Sequence, residues 1–185
     1  MDRNIINSAT GDRIHFWSSP LSGDGDELVF RCTLPPLATG APLHIHDTIT
    51  ETFAVESGAL EIDLGKAGKR LLGPGEEISI SPGTPHGFRN SSASETIFVT
   101  TATPGAELER FLRTMYDLAN CGRTDASGAP RNPVDLAAAL APMDMTIAPL
   151  PRALQRVLVR ALLLARKVFG PSASRTPPRA FGKGA

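Results

Sequence analysis

The sequence predicts a mainly β protein, a single antiparallel barrel or sandwich with a helical appendage after it. Three observations carry that prediction. Between residue 12 and about residue 101, short segments alternate apolar and polar residues with period two. Turn-forming breaks separate those segments at close spacing, among them "SGDGD" at 22–26, "GPG" at 73–75, "SPGTP" at 81–85 and "NSSAS" at 90–94. Beyond Pro104 the apolar spacing becomes helical.

The elements follow in order. "DRIHFW" is the first strand-like piece. "ELVFRCTL" (27–34) places Leu28, Phe30, Cys32 and Leu34 on one face. "ETFAVES" puts Glu51, Phe53 and Val55 on one side. "ALEIDL" (59–64) sets Leu60, Ile62 and Leu64 against Glu61 and Asp63, and "EEISIS" (76–81) sets Ile78 and Ile80 together. "TIFVTT" (96–101) is a β-branched run. One dry face and one wet face mean antiparallel strands.

The helical part begins with "GAELERFLRTMYDLAN" (105–120), where Leu108, Phe111, Leu112, Met115 and Leu118 recur at helical spacing. "CGRTDASGAPRNP" (121–133) reads as a loop and "VDLAAALAP" (134–142) as a short helix. "PRALQRVLVRALLLARKVF" (151–169) is the third helix, opened by Pro151 and stopped by Gly170 and Pro171. The expected organisation is a strand and loop over 1–26, a barrel over 27–104, helices over 105–170 and a disordered basic tail over 171–185.

Composition narrows the function classes. Net charge is zero, yet residues 1–144 carry eleven bases against nineteen acids, and residues 145–185 carry eight bases and no acid. The basic end is short and lacks interleaved aromatics, so nucleic acid is not an expected partner. Cys32 and Cys121 are read as reduced thiols. The start has no apolar run of signal-peptide type, which predicts a cytoplasmic protein. On a wheel of the third helix, Arg152, Arg156, Arg160, Arg166 and Lys167 share an arc. Leu154, Val157, Leu158, Ala161, Leu162, Leu164, Ala165 and Val168 fill most of the rest. The preferred reading is an amphipathic helix docked by its apolar side on the barrel or across a dimer. The alternative is a helix lying on a membrane surface. A charge-free run of five residues is too short to span a bilayer.

The chemistry lies in "LHIHDTITETFAVESG" (43–58). Residues two apart on a strand point the same way, so His44 and His46 present two imidazoles to one face. Two imidazoles on one face can share a divalent metal. Glu51 lies on the inward side of its segment and needs a cation or strong donors there. His86 follows a Gly/Pro turn that could aim it inward, and His15 is incidental.

With these residues in view, the chain resembles the cupins. Their first motif is matched in spacing by His44, His46, Glu51 and Gly58, although its leading glycine is displaced to Gly40, with only three residues between it and His44. Their second motif is matched by Gly75, Gly83, His86 and Asn90, with Ser81 in place of its proline and Pro82 after it. More loosely, the whole chain is similar to small bacterial proteins with one cupin barrel and C-terminal helices. The resemblance implies a double-stranded β-helix, or jelly-roll, barrel. It also implies a metal site of His44, His46, His86 and Glu51, as in quercetinase-like dioxygenases. Three nitrogens and one oxygen suit Fe(II), Mn(II), Ni(II), Co(II) or Zn(II). The expected function is a metal-dependent, dioxygenase-like oxidoreductase acting on a small organic molecule, with Glu51 also a candidate catalytic base. The alternatives are a non-catalytic cupin that binds or senses a small molecule, and a structural role for the metal. A homodimer is expected, and Phe30, Phe88 and Met115 are candidate pocket residues.

Overall fold

The computed structural model of the protein describes residues 1–169. The described residues form eleven strands and three α-helices. They are β1 (Asn4–Ile6), β2 (Arg13–Ser18), β3 (Leu28–Leu34), β4 (His44–His46), β5 (Thr50–Ser57), β6 (Leu60–Asp63), β7 (Lys69–Leu72), β8 (Glu77–Ile80), β9 (Gly87–Arg89) and β10 (Thr96–Thr103). Then come α1 (Ala106–Asn120), α2 (Pro133–Leu140), β11 (Met145–Ile147) and α3 (Arg152–Phe169). The expected strand-like segments and helices occur in order, and β1, β4, β7, β9 and β11 are additional short strands. The expected stop at Gly170–Pro171 and the tail over 171–185 lie outside the described residues.

The strands pair antiparallel in three sheets. The largest has the order β1-β2-β3-β10-β5-β8, the second β7-β6-β9, and the third is the pair β11-β4. The expected strand-rich jelly-roll barrel is met in part: among the described residues the hydrogen-bonded strands form separate sheets and no single sheet closes into a barrel. Reciprocal backbone bonds at 2.8 Å between His44 and His86 tie the small pair β11-β4 to the chain entering β9. One apolar cluster fills the interior and draws on both large sheets, with Phe16, Phe30, Phe53 and Phe98 from one and Leu60, Ile62 and Leu72 from the other. Phe88 joins them, its ring 5.5 Å from Phe53 and 5.3 Å from Phe98. With few aromatics in the chain, these rings supply much of the buried area that holds the layers together.

The helices are fastened by polar anchors as well as by packing. Leu108 and Tyr116 of α1 join the core, and Arg113 lies 4.2 Å over the Phe16 ring. Glu109 is fully buried, yet it accepts from the Ser19 hydroxyl at 2.6 Å, from the Leu21 amide, and from Arg113. That buried charge is therefore matched. The Asn132 side chain caps α2 by accepting from the Val134 amide at 2.9 Å.

The docking of α3 differs from the expectation. The wheel put the apolar arc against the body, but Leu154, Val157, Leu158 and Leu164 are exposed. The face turned inward carries Gln155, Val159, Leu162 and Leu163. It packs against α2, and Gln155 ties it to β11, donating to the Met145 carbonyl at 2.8 Å and accepting from the Ile147 amide at 2.9 Å. These two bonds complete the free edge of β11. Arg152 and Arg156 add ion pairs to Asp47.

Two glycines serve the loop before β4 and the turn between β5 and β6. Gly40 has φ +58°, and a Cβ there would sit 2.2 Å from the Phe88 carbonyl oxygen. The displaced motif glycine is thus demanded by its own backbone. Gly58 has φ +79°, and its Cβ would lie 2.5 Å from the Glu95 carbonyl oxygen. Asn90 is a structural member of its motif. It donates to the Pro35 and Ser94 carbonyls at 2.8 and 2.7 Å and accepts from the Ser92 amide, closing the turn before β10.

Candidate metal centre

The structure brings His44, His46, Glu51 and His86 together from three places in the chain. Strand β4 alternates inward, outward, inward, so both of its imidazoles enter the interior while Ile45 does not. Glu51 lies on β5 in register with Ile80 on one side and Ala102 on the other. His86 follows the Ser81–Pro85 turn, whose Gly83 takes φ +81° and donates to the His46 carbonyl at 2.7 Å. One turn thereby fixes the distant ligand to the strand that carries the other two. All four side chains are buried, and one nitrogen or oxygen from each lies within 4.8 Å of the others.

The hydrogen bonds settle which nitrogens face the centre. Nδ1 of His44 bonds the Pro42 carbonyl at 2.7 Å, Nδ1 of His46 the Asp144 carbonyl at 2.9 Å, and Nδ1 of His86 the Thr84 carbonyl at 3.0 Å. A carbonyl only accepts, so each Nδ1 must carry hydrogen. In a neutral imidazole the lone pair then sits on Nε2. The three Nε2 atoms converge on one carboxylate oxygen, Oε2 of Glu51, at 2.8 Å from His86, 3.3 Å from His46 and 3.9 Å from His44. Nε2 of His46 is buried without a hydrogen-bond partner. Acceptor lone pairs packed against a carboxylate repel one another unless a cation or a proton lies among them. The donor set therefore fits a divalent metal.

The protonation states of the metal-free chain agree. Burial pushes His44 down to about 4, with the charge of His86 acting the same way. Burial also works against charge on His46, but the Glu51 carboxylate beside it and Asp144 behind it raise its pKa overall. Burial would raise Glu51, yet His46 and His86 hold its carboxyl well below the usual carboxylate range.

Two residues absent from the sequence reading support the site. Asp144 presents its carbonyl to His46, and its carboxylate accepts from the Thr48 amide and hydroxyl, both at 2.5 Å. Asp47 lies next to it and pairs with Arg152 and Arg156 of α3. Burial, with the Asp144 carboxylate nearby, raises Asp47. The adjacency of Asp47 and Thr48 to "HIH" was a usable signal, but nothing local marks Asp144. It reaches the site because β11 pairs with β4, opposing Met145 to His46 and Ile147 to His44. Of the candidate pocket residues, Phe88 packs on Phe53, whose ring is 6.1 Å from His86. Phe30 instead stacks on Phe16, 6.0 Å away, and Met115 packs against the core from α1. His15 is exposed and bonds Asn4. Cys32 and Cys121 are free thiols.

Residues 30–101 match the family model described as "Cupin domain". No curated protein matches the chain. Among solved structures, the chain is similar to an uncharacterized conserved protein with a double-stranded beta-helix domain from Klebsiella pneumoniae. The two are 30% identical over 43% of this chain and 69% of that one, with a TM-score of 0.40. It is also similar to a cupin-superfamily sugar phosphate isomerase from Silicibacter pomeroyi, at 24% identity over 52% of this chain and 62% of that one, TM-score 0.46. A third is the polyketide cyclase RemF from Streptomyces resistomycificus, at 24% identity over 50% and 65%, TM-score 0.45. The chain spans less than two thirds of the length of the latter two. Residues 30–101, with both histidine-bearing motifs inside them, belong to the cupin superfamily.

Proposed function

We propose that His44, His46, Glu51 and His86 hold one divalent metal ion and that the protein is a metal-dependent enzyme acting on a small organic molecule. Dioxygenase-like oxidation is the chemistry we assign first. The observation that carries the reading is the convergence of three Nε2 atoms on one buried carboxylate. Fe(II), Mn(II), Ni(II), Co(II) and Zn(II) all suit three imidazoles and a carboxylate. A six-coordinate ion would keep two positions beyond these four ligands, and it would supply Lewis-acid polarisation of a substrate oxygen.

The chain's own residues then have distinct tasks. The three carbonyls behind the imidazoles fix the tautomers and aim the rings. Glu51 supplies negative charge, and its low pKa makes it a ligand first and only a weak base. It is nevertheless the residue we assign to accept a substrate proton. Phe53, with Phe88 behind it, offers an apolar wall beside His86. Residues 27–104 form the metal-holding unit of this reading, residues 105–170 its helical appendage, and the protein acts as a homodimer.

The test is to measure bound metal, reconstitute anaerobically with Fe(II) or Mn(II), and follow O2 uptake with flavonols, β-diketones and catechol-like acids. Turnover that Glu51→Gln abolishes supports the enzyme. Tight binding of one compound without product would replace it with a sensing role. Gel filtration tests the dimer.

A further inference from the structure

Helix α3 turns its apolar arc away from the protein. Leu154 is 46% exposed, Val157 62%, Leu158 44% and Leu164 62%. Gln155, Val159, Leu162 and Leu163 occupy the opposite, inward side, so the two faces stand back to back at 3.6 residues per turn. An arc of this kind normally faces a core. Here the inward face packs against α2 and is fastened by the Gln155 bonds to β11 and the ion pairs of Arg152 and Arg156 with Asp47, so among the described residues the apolar face has no partner.

The charges beside that face choose its occupant. Arg160 and Lys167, seven residues apart, run along the edge next to Val157 and Leu164, also seven apart. Among the described residues neither base forms an ion pair, whereas Arg152 and Arg156 are taken by Asp47. Residues 145–185 contain eight bases and no acid. Two copies of this face packed together would set like charges against each other, with no acid on either helix to answer them. An anionic lipid surface supplies both things the face lacks, a hydrocarbon phase for the apolar arc and negative headgroups for the bases along its edge. The helix cannot cross a bilayer: no described helix is long and apolar enough.

We infer that α3 is a membrane-surface helix, which lays Leu154, Val157, Leu158 and Leu164 into the interface of an anionic bilayer while Gln155 and Asp47 keep it fastened to the protein. The inference does not depend on the metal or on turnover.

Flotation of the full chain with phosphatidylcholine vesicles containing about a third phosphatidylserine tests it. The bound fraction should be roughly tenfold higher than on pure phosphatidylcholine and should fall as salt rises from roughly 0.05 to 0.5 M. Val157→Glu with Leu164→Glu should abolish flotation and leave the melting temperature unchanged, since both side chains are exposed. Arg160→Glu with Lys167→Glu should lower binding about tenfold or more on anionic vesicles alone. Absence of flotation by the unmodified chain would overturn the inference, as would equal binding to neutral vesicles. So would a dimer in lipid-free solution that Val157→Glu with Leu164→Glu splits, because that would place a second copy on the face.

Discussion

Acidification should weaken metal binding through one proton on His46. Each Nδ1 is committed to a carbonyl, so a metal can take only Nε2. His44, pushed down to about 4 by burial, is already free of a second proton near neutrality and releases none. Glu51, held below the usual carboxylate range, is ionised throughout. His46 is raised above its ordinary 6.5, burial being outweighed by the Glu51 carboxylate, and it keeps the proton that a metal must displace. The sign follows from that competition. Below the raised value of His46, each unit of falling pH should cost about tenfold in affinity, about 1.4 kcal/mol, and above it the dependence should flatten. Isothermal titration with Mn(II) or Co(II) in buffers of different ionisation enthalpy counts the protons directly. Approaching one proton per ion should leave below the raised value of His46, and the count should fall away above it. Affinity that stays flat from about pH 8 to about pH 6, with no proton released, would refute the assignment of the lone pairs.

Further outcomes follow from the surrounding structure. Asp144→Ala frees the Thr48 amide and hydroxyl and loosens the carbonyl behind His46, so metal affinity should drop by roughly tenfold to a hundredfold by titration while the far-ultraviolet spectrum is kept. Gly40→Ala forces a Cβ toward the Phe88 carbonyl at positive φ and should lower unfolding free energy by about 3 kcal/mol in urea melts. Glu61 meets Arg89 across the strands, with Lys69 nearby, and these bases hold it at about 2. A folded pKa depressed below the ordinary 4.5 contributes stability above that value and loses it as pH falls toward 2. The melting-temperature gap between the unmodified chain and Glu61→Gln should therefore be small at neutral pH, because the pair is solvent-screened, and should close on acidification.

What the sequence could and could not say has physical causes. Strands β3, β5, β6, β8 and β10 announce themselves because alternation is imposed over several residues by a buried face. β7, β9 and β11 do not, since "KRLL", "GFR" and "MTI" are too short or too irregular to show a period. Their strand character comes from pairing with β6 and β4. The four candidate ligands were legible from residue type and spacing. Asp144 was not, because its place behind His46 is a tertiary consequence of β11 lying along β4. The wheel of α3 found an apolar side, but its expected docking on the barrel is not seen: Leu162 of that arc turns inward while Leu154, Val157, Leu158 and Leu164 stay exposed. Periodicity reports that a helix has an apolar side, and it does not report what that side meets. The free edge of β11 needed an amide, and Gln155 provided it.

The central claim is that four side chains act as one metal centre, and metal content measured on single variants tests it most directly. The unmodified chain, loaded with Co(II) and freed of excess, should retain about one ion per chain. His44→Ala, His46→Ala, His86→Ala and Glu51→Ala should each lose most of it, while circular dichroism shows the same fold. Retention of wild-type metal content by His46→Ala and His86→Ala, two folded variants from separate segments, would contradict the account.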